Sequence, residues 1–178
     1  VLLPSPTLGS SVLGVVFGFL NDDGTVDAAR CADFLGRVRA ENPEVETVFH
    51  RAIDVVPDVF AALDTLTALG VTRVLTSGQR ASAPQGAETI RKMLAHAAGR
   101  IDILPGGGVN AGNVRGFIAE TGVKSVHASA RSLRRDTSVC GNPEIFFGGK
   151  IDGRGVPEDE YKVTDSALVG AVIRAIEG

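Results

Sequence analysis

The residues of chemical interest in this chain fall into short groups. His50 and Arg51 stand side by side, with Asp54 three positions on. Thr76-Ser77-Gly78-Gln79 forms a second group, Pro105-Gly106-Gly107-Gly108 a third, and His127-Ala128-Ser129-Ala130-Arg131 a fourth. A histidine suits proton transfer near neutral pH. A guanidinium can grip a carboxylate or phosphate, or pair with Asp54 as a salt bridge. Consecutive glycines can be a tight turn, or can leave main-chain N–H groups free to cradle an anion before a helix. Thr76, Ser77 and Ser129 offer neutral hydroxyls, which are as often turn caps as ligands. No nucleophile stands beside an evident base, so covalent catalysis is not signalled.

These groups need elements to hold them. Apolar runs read as strands at 12–17, 45–49, 71–76, 101–104 and 124–127. Helical patterns follow them. Cys31, Phe34, Leu35 and Val38 share one helix face. Val59, Phe60, Leu63, Leu66 and Leu69 form the next stripe, opened by Pro57 and closed by Gly70. Further helices are expected over 85–98, 111–121 and 166–176, the last capped by Thr164 or Asp165. The stretch 129–164 reads as a long polar, Gly-rich loop. Alternating strands and helices imply a parallel sheet with right-handed crossovers. Ligands of such sheets bind beyond the carboxyl ends of the strands, where every group named above falls. His96 lies on a helix and is expected to face solvent.

Composition narrows the class. The 178 residues carry 18 Lys+Arg against 21 Asp+Glu, a formal charge of −3. That balance argues against a nucleic-acid partner. Hydrophobic residues make up 44%, enough for a core. No apolar stretch is long enough to span a bilayer, and residues 1–6 lack the charged start of a signal peptide. Cys31 and Cys140 cannot make a disulfide framework and read as reduced thiols in a cytoplasmic protein. A soft Cu(I) site would want several Cys or Met together, and the chain has one methionine, Met93, on a helix.

The segments GVVFGFLNDDGTVD (14–27), TVFHRAIDVVPD (47–58), GVTRVLTSGQ (70–79), RIDILPGGGVNAGNV (100–114), GVKSVHASAR (122–131) and YKVTD (161–165) resemble the CutC family. The match covers most of residues 14–178 in the family's order, with 1–13 unassigned. The resemblance implies one domain over 1–178 with a TIM (β/α)8 barrel fold, of which the five units here look like the fourth to eighth. It implies copper homeostasis, with copper as the bound ion. The family's early-strand cysteines have no counterpart here, and Cys31 and Cys140 do not match them, so no metal ligand is assigned. Five units out of a barrel would expose two strand edges, which predicts pairing into a homo-oligomer.

Two functions follow as expectations. One is copper homeostasis of the CutC type. The alternative is a TIM-barrel lyase or isomerase acting on a small anionic ligand. In the second, His50, Arg51, Asp54 and His127 are the catalytic candidates, and Thr76, Ser77, Gly106, Gly107, Gly108 and Ser129 line the ligand. A scaffold that only dimerises through its helices ranks last.

Overall fold

A computed structural model describes residues 12–141, 150–151, 154–155 and 159–178. Its contacts divide into two compact units, where the sequence reads as one domain. The first runs to Val109 and takes in Arg115–Ala128; the second holds Asn110–Val114 and Ser129–Gly178.

The first unit alternates strand and helix. The order is β1 (Gly14–Phe17), α1 (Ala28–Glu41), β2 (Glu46–Phe49), a short 3-10 helix Arg51–Val55, and α2 (Val59–Ala68). There follow β3 (Arg73–Thr76), a 3-10 turn Pro84–Gly86, α3 (Ala87–Ala97), β4 (Asp102–Pro105) and α4 (Val114–Thr121). The four strands form one parallel sheet in the order β1-β2-β3-β4. Phe17, Phe49, Val74 and Ile103 align across it and are all buried.

Local chemistry explains the helices. Asp27 caps α1 by accepting from the Arg30 N–H at 2.9 Å. Cys31, Leu35 and Val38 of α1 are buried, and Phe34 stacks on Phe17 with ring centroids 4.8 Å apart. Asp58, one residue past the expected Pro57, caps α2 through the N–H groups of Phe60 and Ala61. Val59, Ala62, Leu63 and Leu66 are its buried side. Ile90 and Met93 of α3 are fully enclosed. A buried leucine or phenylalanine of this kind contributes roughly 1.5–3 kcal/mol by leaving water.

The other face of the sheet behaves differently. Val16 is 64% exposed there. Arg73 binds Glu46 at 3.0 Å and Asp102 at 3.5 Å, joining β2, β3 and β4 by charge. A cavity of about 400 Å3 opens beside this network, lined in part by Arg73, Leu94, Asp102 and Lys124. Parallel sheets normally have both faces covered.

Two expected elements change. The strand over 124–127 reduces to one parallel bridge, Gly106 with His127. No strand pairs with its outer edge among the described residues, so nothing extends it. The helix expected from 111 begins at Val114, because Asn110 turns the chain first and accepts from the Gly112 N–H at 2.9 Å.

The second unit occupies the stretch expected to be loop. β5 (Arg131–Arg135) pairs antiparallel with β8 (Glu160–Thr164). A two-residue pair, β6 (Lys150–Ile151) and β7 (Arg154–Gly155), lies between them in sequence. α5 (Ser166–Glu177) follows, capped by Asp165 through the Ala167 N–H at 2.9 Å. Leu168, Val169, Ile173 and Ile176 of α5 are exposed. Cys140 falls in a 3-10 turn, Thr137–Gly141, but its side chain lies outside the described residues. No described helix is long and apolar enough to cross a membrane.

Candidate functional site

The strand order sets the carboxyl ends of β1, β2, β3 and β4 side by side, and the loops after β2 and β3 meet around one carboxylate. Asp54 sits in the 3-10 helix after β2 and reaches across to the end of β3. Its Oδ1 accepts from the Thr76 hydroxyl at 2.6 Å, the Ser77 N–H at 3.0 Å and the Gln79 N–H at 3.2 Å. Its Oδ2 accepts from the Arg51 Nε–H at 2.7 Å and lies 2.9 Å from the Ser77 hydroxyl. The Asp54 side chain is only 7% exposed. Burial pushes its carboxyl up, but bonds from Thr76, Arg51 and Ser77 outweigh that and hold it below the usual carboxylate range.

Arg51 completes the cluster. Its Nη2 donates to the Ser77 hydroxyl at 2.6 Å. Its Nη1 has no partner among the described residues and faces Gly107, where a Cβ would stand 3.3 Å from it. The Arg51 side chain is 45% exposed. The side-on edge of the fork is held by Asp54 and Ser77, and Nη1 remains for a ligand.

The neighbouring histidine turns the other way. His50 Nδ1 accepts from the Ala52 N–H at 3.1 Å, so that nitrogen is unprotonated and Nε2 carries the hydrogen. The ring lies over Gly18 at the end of β1, where a Cβ would come within 2.4 Å of it. His50 and Arg51 are adjacent in sequence yet serve different sides of the site.

The glycine triplet is fastened to the loop after β3. Gly106 N–H donates to the Thr76 carbonyl at 2.8 Å, and the Gly107 carbonyl accepts from the Ala83 N–H at 2.8 Å. Gly107 and Gly108 have φ of 95° and 78°, a region that favours glycine. A Cβ on Gly108 would stand 2.9 Å from the Ser82 Cβ. His127 is exposed and packs its Cβ against Gly106. Ser129 is exposed and belongs to the second unit.

The structure thus gathers Arg51, Asp54, Thr76, Ser77 and Gly107. It sets His50 against Gly18 and His127 against Gly106. Gly18 and Gln79 stand at strand ends in sequence, but only the structure gives them work. Gln79 holds a positive φ of 58° while its Nε2 donates to the Val56 carbonyl at 2.8 Å. The sequence signal of both is the same, a position directly beyond a strand end.

The described soft donors, Cys31 and Met93, do not fit a copper centre. Cys31 is fully buried, donates to the Phe19 carbonyl and is pushed up by burial. Met93 is enclosed on α3. Among the described residues no group of three or more His, Cys, Asp or Glu comes together to hold a metal.

The CutC family model matches residues 7–132. A family protein CutC of Treponema denticola is 45% identical over 163 residues, 92% of this chain and 63% of that protein. The human copper homeostasis protein cutC homolog is 38% identical over 156 residues, 88% of this chain and 55% of its own length. A solved CutC structure from Streptococcus agalactiae superposes with a TM-score of 0.55 at 33% identity, covering 63% of this chain and 53% of that one. The chain spans somewhat over half the length of these curated relatives. On this ground the chain belongs to the CutC family.

Proposed function

We propose that this chain serves copper homeostasis, as the names of its relatives state, and that its working part binds a small anionic ligand at the carboxyl ends of the strands. The observation that carries this reading is Arg51, whose half-exposed guanidinium is fixed by Asp54 and Ser77 while Nη1 has no partner among the described residues. A preorganised cation beside a glycine is a ready anion contact. Copper here is cargo reached indirectly, since the buried Cys31 thiol is a poor ligand.

The finer architecture belongs to the same proposal. The four parallel strands are part of a (β/α)8 barrel, a reading supported by the uncovered sheet face carrying Val16. The exposed apolar residues of β1 and α5 support a homo-oligomer, and the reduced Cys31 supports a cytoplasmic protein.

A second reading is a lyase or isomerase on the same ligand. It is favoured by His50, whose Nε2–H is set as a neutral donor with no partner among the described residues.

The test is copper sensitivity of a strain lacking its own CutC-type gene, complemented with this chain. We expect Cys31→Ser to restore copper tolerance and Arg51→Ala to fail. The reverse pattern would establish thiol-bound copper instead. A Cu(I) competition titration should give the same result for wild type and Cys31→Ser.

A further inference from the structure

Resting on the anion-site reading, we propose that Ser82 is a second ligand-binding residue of this site, its hydroxyl donating to the anion that Arg51 Nη1 holds. Ser82 lies in the loop after β3, which is bonded to the glycines after β4. Gly107 stands against Arg51 and Gly108 against Ser82. A Cβ on Gly107 would come 3.3 Å from Nη1, and a Cβ on Gly108 would come 2.9 Å from the Ser82 Cβ and 3.8 Å from its Oγ. Neighbouring Cα atoms are about 3.8 Å apart. One small anion beside these two glycines therefore has a guanidinium N–H and a hydroxyl within reach.

The position of Ser82 is set before any ligand arrives. Two residues earlier, the Arg80 carbonyl accepts from the Ser77 hydroxyl at 2.5 Å and from Arg51 Nη2 at 3.5 Å. One residue later, the Ala83 N–H donates to the Gly107 carbonyl at 2.8 Å. The Ser82 carbonyl itself accepts from the Gly86 N–H at 3.1 Å. The loop is thus pinned on both sides of Ser82 by bonds to Arg51 and Gly107. A donor held in place this way loses little freedom when it binds.

The hydroxyl has no structural task of its own. A serine ahead of a helical turn ordinarily caps it through the side chain. Here Ala83 holds the cap position of the 3-10 turn Pro84–Gly86, no side chain caps that turn, and Pro84 brings no N–H to be capped. Ser82 is half-buried, and its Oγ has no partner among the described residues. The other two hydroxyls of this loop are committed within the protein, Thr76 to Asp54 and Ser77 to the Arg80 carbonyl. Ser82 carries the one left for a ligand.

The test is a titration of the 178-residue chain with inorganic phosphate and, separately, with acetate at matched ionic strength, followed by the amide resonances of Ser77 and Gly107. We expect at least one of the two anions to shift both resonances saturably in wild type. Ser82→Ala should raise the dissociation constant of that anion by at least about tenfold, the worth of one hydrogen bond to a charged group, with the melting temperature unchanged. Arg51→Gln should abolish the response. Wild-type affinity in Ser82→Ala, with loss in Arg51→Gln, would overturn the assignment of Ser82 and leave the anion site standing. Weaker binding in Ser82→Ala together with a lower melting temperature would overturn it too, since the hydroxyl would then hold up the loop. A response that survives Arg51→Gln, or no saturable response to either anion in wild type, would overturn both this inference and the anion-site reading.

Discussion

Asp54 accepts hydrogen bonds from two connections, the one after β2 and the one after β3, and its chemistry can be read through pH. Its folded pKa is depressed, so its contribution to stability is fully present above the ordinary aspartate value of about 3.9. That contribution fades as the pH falls through the lower, folded value. Asp54→Asn keeps the shape but turns an amide NH2 toward donors such as the Thr76 hydroxyl and the Ser77 N–H. We expect a loss of about 2 kcal/mol at neutral pH. The gap to wild type should begin to narrow below about pH 4 and close as the pH falls through the depressed folded value. Urea unfolding of both proteins across pH checks this. Gly18 is a second residue with a defined part. Gly18→Ala would drive a methyl into the His50 ring, and overpacking of this kind costs about 1–3 kcal/mol. Ring nitrogen shifts of His50 should then show Nδ1 released from the Ala52 N–H. Unchanged shifts would remove Gly18 from the account.

Among the elements, what was legible followed burial. Periodicity located α1, α2 and α3 because each has one apolar side, and the four strands because their inner residues are apolar. β5 and β8 escaped notice because Arg131–Arg135 and Glu160–Thr164 carry no apolar run and bury little. The strand expected at 124–127 has one apolar residue, Val126, and lacks a partner on one side, so pattern alone overstated it. For the site, residue types and strand ends pointed to Arg51, Asp54, Thr76 and Ser77. The parting of His50 from Arg51 was invisible, since it depends on side-chain direction and on space over Gly18. The loop after β3 depends on another close approach. A Cβ on Gly86 would stand 2.0 Å from the Ser77 carbonyl oxygen. Gly86→Ala should cost about 2 kcal/mol and displace Ser77 from Arg51, read as a lower melting temperature and a shifted Ser77 amide resonance.

Across the whole molecule, the thiol at Cys31 reports on opening. It is enclosed and its pKa is raised, so a thiol-specific reagent should reach it only when the first unit unfolds. Labelling should speed up in denaturant in step with unfolding. Fast labelling under native conditions would mean that α1 lifts away from β1 by itself. The reach of Asp54 has a different consequence, for how such a protein can be re-engineered or can diverge. The loop after β3 takes its form from a side chain encoded 22 positions upstream of Thr76. Transplanting 76–86 between relatives will carry the sequence of the loop without its mould. A working graft must move two separated segments together, 50–56 and 76–86, as one inherited module.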